Sequence, residues 1–197
     1  MRKNFAYSVN FNEKIEALFK EAVYLGQGNN GIVYELPGNK VIKIFLNPKV
    51  CDDESSILLK TNGSRFFPKI DKKGENYIIR DKVEGERLDY YIKQNGLSYE
   101  LIDKIYSLLK EFKKLKFKKL DIRCKDILVT DLNEIKIIDP KKSYHRKVDF
   151  PRHLMKGLKR LEVLDVFLER IRIIDPKKAY YWESRFAQYL ENETYHI

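Results

Sequence analysis

Alternating apolar and polar positions in the first 84 residues predict a sheet-rich region with little helix. Residues 12–20 have the spacing of a short amphipathic helix. β-Branched and aromatic residues then predict three strands, over 22–25, 32–36 and 41–45. A helix capped by Asp52 or Asp53 is expected to reach about Lys60, and a second hairpin to follow over 67–79.

From about Leu88 the apolar spacing changes to the period of a helix. Residues 98–114 carry an i, i+3, i+4, i+7 stripe of leucine, isoleucine and phenylalanine. A small hairpin is predicted around Asp131-Leu132-Asn133, followed by helical stretches over 152–173 and 176–191. We therefore expect an α+β protein, with a β-rich part over about 1–84 and a helical part over about 85–197.

Composition narrows the class of protein further. The chain has 197 residues, enough for one domain or one unit of two small lobes, and a formal net charge of +10. This charge favours polyanionic partners but leaves open nucleotide phosphates, acidic proteins and nucleic acid. Two cysteines make no disulfide framework, and no apolar run approaches the ~20 residues that span a bilayer. We expect a cytoplasmic protein without membrane partners.

A glycine-rich segment lies between the first two predicted strands. Gly26, Gly28 and Gly31 have the GxGxxG spacing, which lets backbone N–H groups approach a phosphate closely. A dinucleotide-binding loop should open a helix, whereas here a strand follows. The position therefore favours a glycine flap over nucleotide phosphates, and an ordinary tight hairpin remains the alternative.

A lysine in an apolar strand is the second candidate. Strand alternation puts Lys43 on one face with Val41 and Phe45, beside the glycine segment. There it can serve as a fixed positive charge for a phosphate, and Glu54 on the following helix can hold it in position. The alternatives are an exposed strand lysine and an acid that complements the helix dipole.

Three aspartates around the small hairpin form the third candidate. Asp126 precedes the hairpin and Asp139 follows it, so strand pairing is expected to bring these carboxylates together. Two such carboxylates suit Mg²⁺, and Asp121 could orient an attacking hydroxyl. Each aspartate taken alone is equally typical of a solvated turn.

In this order, these segments resemble the protein-kinase superfamily, over roughly Tyr24 to Asp139. Residues 26–33 are similar to its glycine loop, 41–43 to its lysine strand, 78–85 to its adenine-binding strand and hinge, 121–128 to its catalytic loop and 138–140 to the start of its metal-binding motif. The small size resembles minimal atypical kinases of the RIO and KEOPS types. The resemblance implies a two-lobed kinase-like fold with a reduced helical C-lobe.

The resemblance also implies roles for single residues. The nucleotide-binding set would be Gly26, Gly28, Gly31, Val33, Lys43, Glu54, Asp81 and Val83. Asp121 would be the catalytic aspartate, with Arg123 near the transferred phosphate and Lys43 on the other phosphates. Asp126 and Asp139 would hold Mg²⁺ with ATP.

Several positions depart from the family pattern. Lys119-Leu120 replaces the usual His-Arg before the catalytic aspartate, Asp126 replaces an asparagine, and Pro140-Lys141 replaces Phe-Gly. No Ala-Pro-Glu follows, and Arg80 stands where an apolar gatekeeper is usual.

The sequence thus predicts a serine/threonine kinase that phosphorylates a protein, which could be acidic, or its own chain. An inactive nucleotide-binding regulator or a module that docks RNA or protein is the alternative. A run of lysines and arginines over 110–125 could serve nucleic acid, but no aromatic–glycine motif interleaves it, which favours a solvated helix end.

Overall fold

The computed structural model describes residues 9–138 and 147–194, which fall into two compact units. The first unit ends at Val83 and the second begins at Glu84. Sheet dominates the first and helix the second, so the α+β class and the order of its parts are confirmed. None of the described helices is long and apolar enough to cross a membrane.

The first unit is an antiparallel sheet with a helix on each face. Its elements are α1 (Glu13–Lys20), β1 (Val23–Gly28), β2 (Gly31–Leu36), β3 (Lys40–Phe45), α2 (Pro48–Lys60), β4 (Ile70–Lys73) and β5 (Tyr77–Asp81). The strand order is β1-β2-β3-β5-β4, so β3 lies in the centre of the sheet.

The two faces of β3 pack against different helices. Ile42 and Ile44 are buried with Ile15 of α1, whereas Phe45 is buried with Cys51 and Leu58 of α2. This alternation places Lys43 on the α2 face, as its neighbours in the strand require. The two-sided core fixes which helix the lysine can reach.

The second unit combines a small sheet with five helices among the described residues. They are β6 (Glu86–Arg87), α3 (Leu88–Asn95), α4 (Tyr99–Lys114), β7 (Ile127–Val129), β8 (Ile135–Ile137), α5 (Arg152–Arg160), α6 (Leu164–Ile174) and α7 (Pro176–Thr194). The predicted apolar stripe of α4 is confirmed, since Ile102, Ile105 and Leu108 are fully buried. Ser98 caps this helix by accepting a hydrogen bond from the N–H of Leu101.

Two predicted helix limits were wrong. Helix α2 begins at Pro48, one turn earlier than expected, because Asn47 accepts a hydrogen bond from Lys49 N–H and Pro48 suits the first helical turn. The stretch predicted over 152–173 is two helices, since Glu162 has a φ of 60° and ends the first helical segment. Helix α3 was not predicted.

The glycine at the start of β2 is required by close packing. A Cβ on Gly31 would lie 1.9 Å from the carbonyl oxygen of Ile44. We therefore expect Gly31→Ala to lower the free energy of unfolding by roughly 1–3 kcal/mol, because β2 or β3 must shift to admit the methyl group. Urea unfolding followed by circular dichroism measures this loss.

Gly28→Ala is the matched control, because nothing lies within 4 Å of a Cβ at that position. It should leave the unfolding curve almost unchanged. Equal losses in the two variants would contradict this account of Gly31.

Candidate functional site

In the first unit, a row across three strands joins the glycine hairpin to the lysine. Gly26 of β1 lies opposite Val33 of β2, and Val33 lies opposite Lys43 of β3. A Cβ on Gly26 or Gly28 would meet no atom within 4 Å, so the backbone of β1 borders open space there. An incoming anion can therefore approach these backbone groups without side-chain obstruction.

Lys43 and Glu54 form a buried ion pair. The Lys43 Nζ lies 2.5 Å from Glu54 Oε2, and only 12% and 7% of the two side chains are exposed. The same ammonium lies 4.8 Å from the centre of the Phe45 ring. Glu54 faces the strand because it shares the inner side of α2 with Cys51 and Leu58. The predicted pairing is thus present, and its use toward a nucleotide stays a prediction.

The end of β5 holds the residues predicted to bind adenine. The Asp81 carboxylate lies 2.8 Å from Lys40 Nζ and accepts a hydrogen bond from Lys69 N–H. Burial acts to raise the pKa of Asp81, but these partners outweigh it and hold the pKa below its ordinary value. The buried Arg80 donates a hydrogen bond to the Asp81 carbonyl oxygen at 3.0 Å, and the half-buried Val83 follows.

Asp121 of the second unit is held by the first turn of α5. Its side chain is fully buried, and its carboxylate accepts hydrogen bonds from Arg152 Nε at 3.1 Å and from His153 N–H at 2.8 Å. The His153 Nδ1 lies 2.5 Å from the same carboxylate. A catalytic role for Asp121 therefore requires this network to open.

The backbone explains why Asp121 meets α5. Lys119 forms a parallel bridge with Val148, and Leu120 N–H donates to the Val148 carbonyl oxygen at 2.8 Å. The segment that leads into α5 therefore runs beside the segment that leads into Asp121. Sequence reasoning missed Arg152 and His153, although basic residues after a proline at a helix start were the available signal.

The small hairpin forms as predicted. Ile127 lies opposite Ile137 in the antiparallel pair of β7 and β8, so Asp126 and Ile138 flank the same end of the hairpin. Asp126 is half-buried and closes a 3₁₀ turn over Cys124–Asp126, while Arg123 is exposed. Asp139 lies outside the described residues. No cluster of three metal-ligating side chains occurs within the described ranges.

Both cysteines are free and buried thiols. Burial raises the pKa of Cys51 to about 11 and that of Cys124 to about 12. Both groups are therefore protonated at neutral pH, which makes them poor nucleophiles.

Comparison with known proteins supports a kinase-like relationship. The chain is similar to "Putative serine/threonine-protein kinase YrzF" of Bacillus subtilis strain 168, with 23% identity over 133 residues. The match covers 64% of this chain and 62% of the relative, which is less than two thirds of that protein. No protein-family model matches the chain.

The Asp121 network predicts a structural cost for its removal. Asp121→Asn should lower the free energy of unfolding by roughly 2–4 kcal/mol, because Arg152 and His153 lose a buried charged partner. Chemical denaturation at neutral pH measures the loss.

Asp131→Asn, in the exposed turn of the nearby hairpin, is the control for the same chemical change and should cost little. If Asp121→Asn is as stable as Asp131→Asn, Asp121 does not hold α5 in solution.

Proposed function

We propose that the chain is an ATP- and Mg²⁺-dependent phosphotransferase of the protein-kinase type, acting on a serine or threonine hydroxyl of a protein. The Lys43–Glu54 pair beside the glycine hairpin carries this proposal. The similarity to a protein named as a serine/threonine kinase supports its general class.

The ion pair has a functional rather than a stabilising explanation. Burying two charges costs several kcal/mol per ion, and well-packed apolar residues often stabilise such a site equally well. Lys43 is flanked by apolar neighbours on β3, where a further apolar residue would have packed. A lysine held by a carboxylate in this setting is suited to a ligand with negative charge.

The residues of this unit fit the phosphates of ATP. Gly26 and Gly28 leave space beside the backbone, and Lys43 supplies a charge whose position Glu54 fixes. In this proposal Lys43 binds the non-transferred phosphates, the hairpin covers them, and backbone groups near Asp81 and Val83 bind adenine. ATP supplies the transferable phosphoryl group when bound.

Asp126 fits a magnesium ion by its donor chemistry. Asp126 is a half-buried residue, and a carboxylate is one of the hard oxygen ligands that Mg²⁺ prefers. We propose Asp139 as the second carboxylate. When bound, the ion offsets charge on the phosphates, while the exposed Arg123 does so from the protein side.

In the same proposal Asp121 orients the acceptor hydroxyl, which requires the first turn of α5 to open and expose the carboxylate. The complete burial of Asp121 favours a second candidate function, a regulator that binds nucleotide without transferring phosphate. The two candidates share nucleotide binding and differ in transfer.

Binding of Mg-ATP and transfer of its γ-phosphate should both depend on Lys43. With saturating Mg-ATP, we expect the melting temperature to rise by roughly 5–10 °C, as ligand linkage predicts at about 100-fold excess over Kd. Lys43→Met should remove most of this rise and reduce γ-phosphate transfer to casein at least about 100-fold, because a fixed phosphate ligand is lost.

Lys72→Met, an exposed lysine on β4 of the same sheet, is the control and should keep both properties. A full thermal shift in Lys43→Met would contradict the nucleotide site. In the unaltered protein, a rise in melting temperature with Mg-ATP but without phosphate transfer would favour the nucleotide-binding regulator.

Magnesium dependence tests the two hairpin carboxylates. Asp126→Ala and Asp139→Ala should each raise the Mg²⁺ concentration that gives half-maximal transfer, because one oxygen ligand is lost. Transfer is measured over a magnesium titration at fixed ATP. Asp131→Ala, in the exposed turn, is the control. Identical titrations in all four proteins would reject both metal assignments.

A further inference from the structure

A strongly basic pocket lies within the second unit and shares Arg123, Cys124 and His153 with the groups described above. Its volume is about 500 Å³, and α3, the 3₁₀ turn and α5 form its walls. Five cationic side chains and one carboxylate line it, together with His153. They are Lys93, Arg123, Lys125, Lys156, Arg160 and Asp89.

Close packing joins α5 to the 3₁₀ turn at one side of the pocket. Cys124 is 5% exposed, and its Sγ lies 3.8 Å from the Leu154 carbonyl oxygen. A Cβ on Gly157 would lie 2.6 Å from that sulfur, so only glycine lets α5 pack this closely on the 3₁₀ turn. Helix α5, which carries Lys156 and Arg160, therefore lies directly against the 3₁₀ turn, which carries Lys125.

The five cations that line the pocket outnumber its one carboxylate. Asp89 is already bound by Arg87, whose Nε and Nη2 lie 3.0 and 2.6 Å from its two oxygens. Among the described residues, no carboxylate pairs with Arg123, Lys125 or Arg160. Lys156 and Arg160 stand four positions apart on α5, a like-charge spacing that destabilises a helix. This arrangement favours an anionic ligand over a stabilising role.

We propose that this pocket binds a phosphorylated serine or threonine side chain of a peptide. A phosphomonoester carries about −1.5 to −2 charges and three strong acceptor oxygens, which several lysines and arginines can share. The volume lies in the range of small-molecule sites and leaves room for the flanking peptide residues.

The composition of the lining disfavours a nucleic acid. Single-stranded RNA and DNA are held by aromatic side chains on which the bases stack, in addition to a basic groove. None of the residues that line this pocket is phenylalanine, tyrosine or tryptophan. A compact phosphate fits the pocket better than a nucleobase does.

For the proposed kinase, the pocket selects acceptor proteins that already carry a phosphate near the site of transfer. That consequence for substrate choice rests on the proposed function, whereas the binding of a phosphopeptide does not.

The test uses the full chain without nucleotide and a fluorescein-labelled peptide, Ala-Ala-Gly-phosphoserine-Gly-Ala-Ala. Fluorescence anisotropy should show at least about tenfold tighter binding than for the same peptide with serine, with affinity falling as salt rises. Arg160→Gln should weaken phosphopeptide binding about tenfold, as expected for one charge-assisted hydrogen bond. Lys93→Gln, on α3, should also weaken phosphopeptide binding about tenfold. This variant replaces Arg160→Gln in the test if Arg160→Gln fails to fold.

Lys159→Gln is the matched control, because Lys159 is exposed on α5 beside Arg160 but does not line this pocket. It should keep binding within about twofold. Equal affinity for the two peptides, or an equal loss in Lys159→Gln, would overturn the proposal. Tighter binding of a single-stranded RNA oligonucleotide that Arg160→Gln also weakens would overturn it in favour of nucleic acid.

Transfer of γ-phosphate to casein, measured in parallel, separates the two proposals. Phosphopeptide binding without transfer supports the pocket and rejects the kinase activity. Transfer without phosphopeptide binding rejects the pocket alone.

Discussion

One buried ion pair constrains how the strands and helices of the first unit can be arranged. Lys43 lies on the central strand among apolar neighbours, and the Glu54 carboxylate and the Phe45 ring offset the cost of its burial. The arrangement holds only if β3 presents Lys43 to α2 and if α2 turns Glu54 toward the sheet. The two-sided core meets both conditions, because α1 and α2 pack on opposite faces of β3.

This part of the site could be predicted from the sequence because it depends on local periodicity. Alternation along β3 determines the face of Lys43, and a short connection limits which helix can follow. The incorrect start of α2 did not affect the predicted pairing of Lys43 with Glu54, because Glu54 belongs to the helix whether Asn47 or Asp52 caps it. The hairpin around Asp131 was predictable for the same reason, since its strands are adjacent in the chain.

The surroundings of Asp121 could not be predicted in this way. Arg152 and His153 lie more than 30 positions away, and no periodicity links them to the loop that they bind. Helix α3 and the break after α5 were missed because short segments carry weak patterns. The basic pocket depends on both, since α3 and α5 supply three of its five cations. The charged residues of the pocket could be identified in the sequence, but the sequence did not show that they converge in space.

The two candidate functions, phosphate transfer and nucleotide binding without transfer, differ in what they require of the hydrogen bonds at Asp121. A carboxylate offers about four lone-pair sites, and Arg152 Nε, His153 N–H and the His153 ring take three of them. One site remains for an acceptor hydroxyl, but the complete burial of the side chain keeps a hydroxyl from reaching it. Phosphate transfer would therefore require the first turn of α5 to open locally. The free energy of this opening would set the fraction of molecules that can transfer phosphate. His153 also lines the basic pocket, so its ring contacts the Asp121 carboxylate and also borders the pocket. The proposed phosphopeptide pocket and the proposed catalytic aspartate are therefore linked through His153.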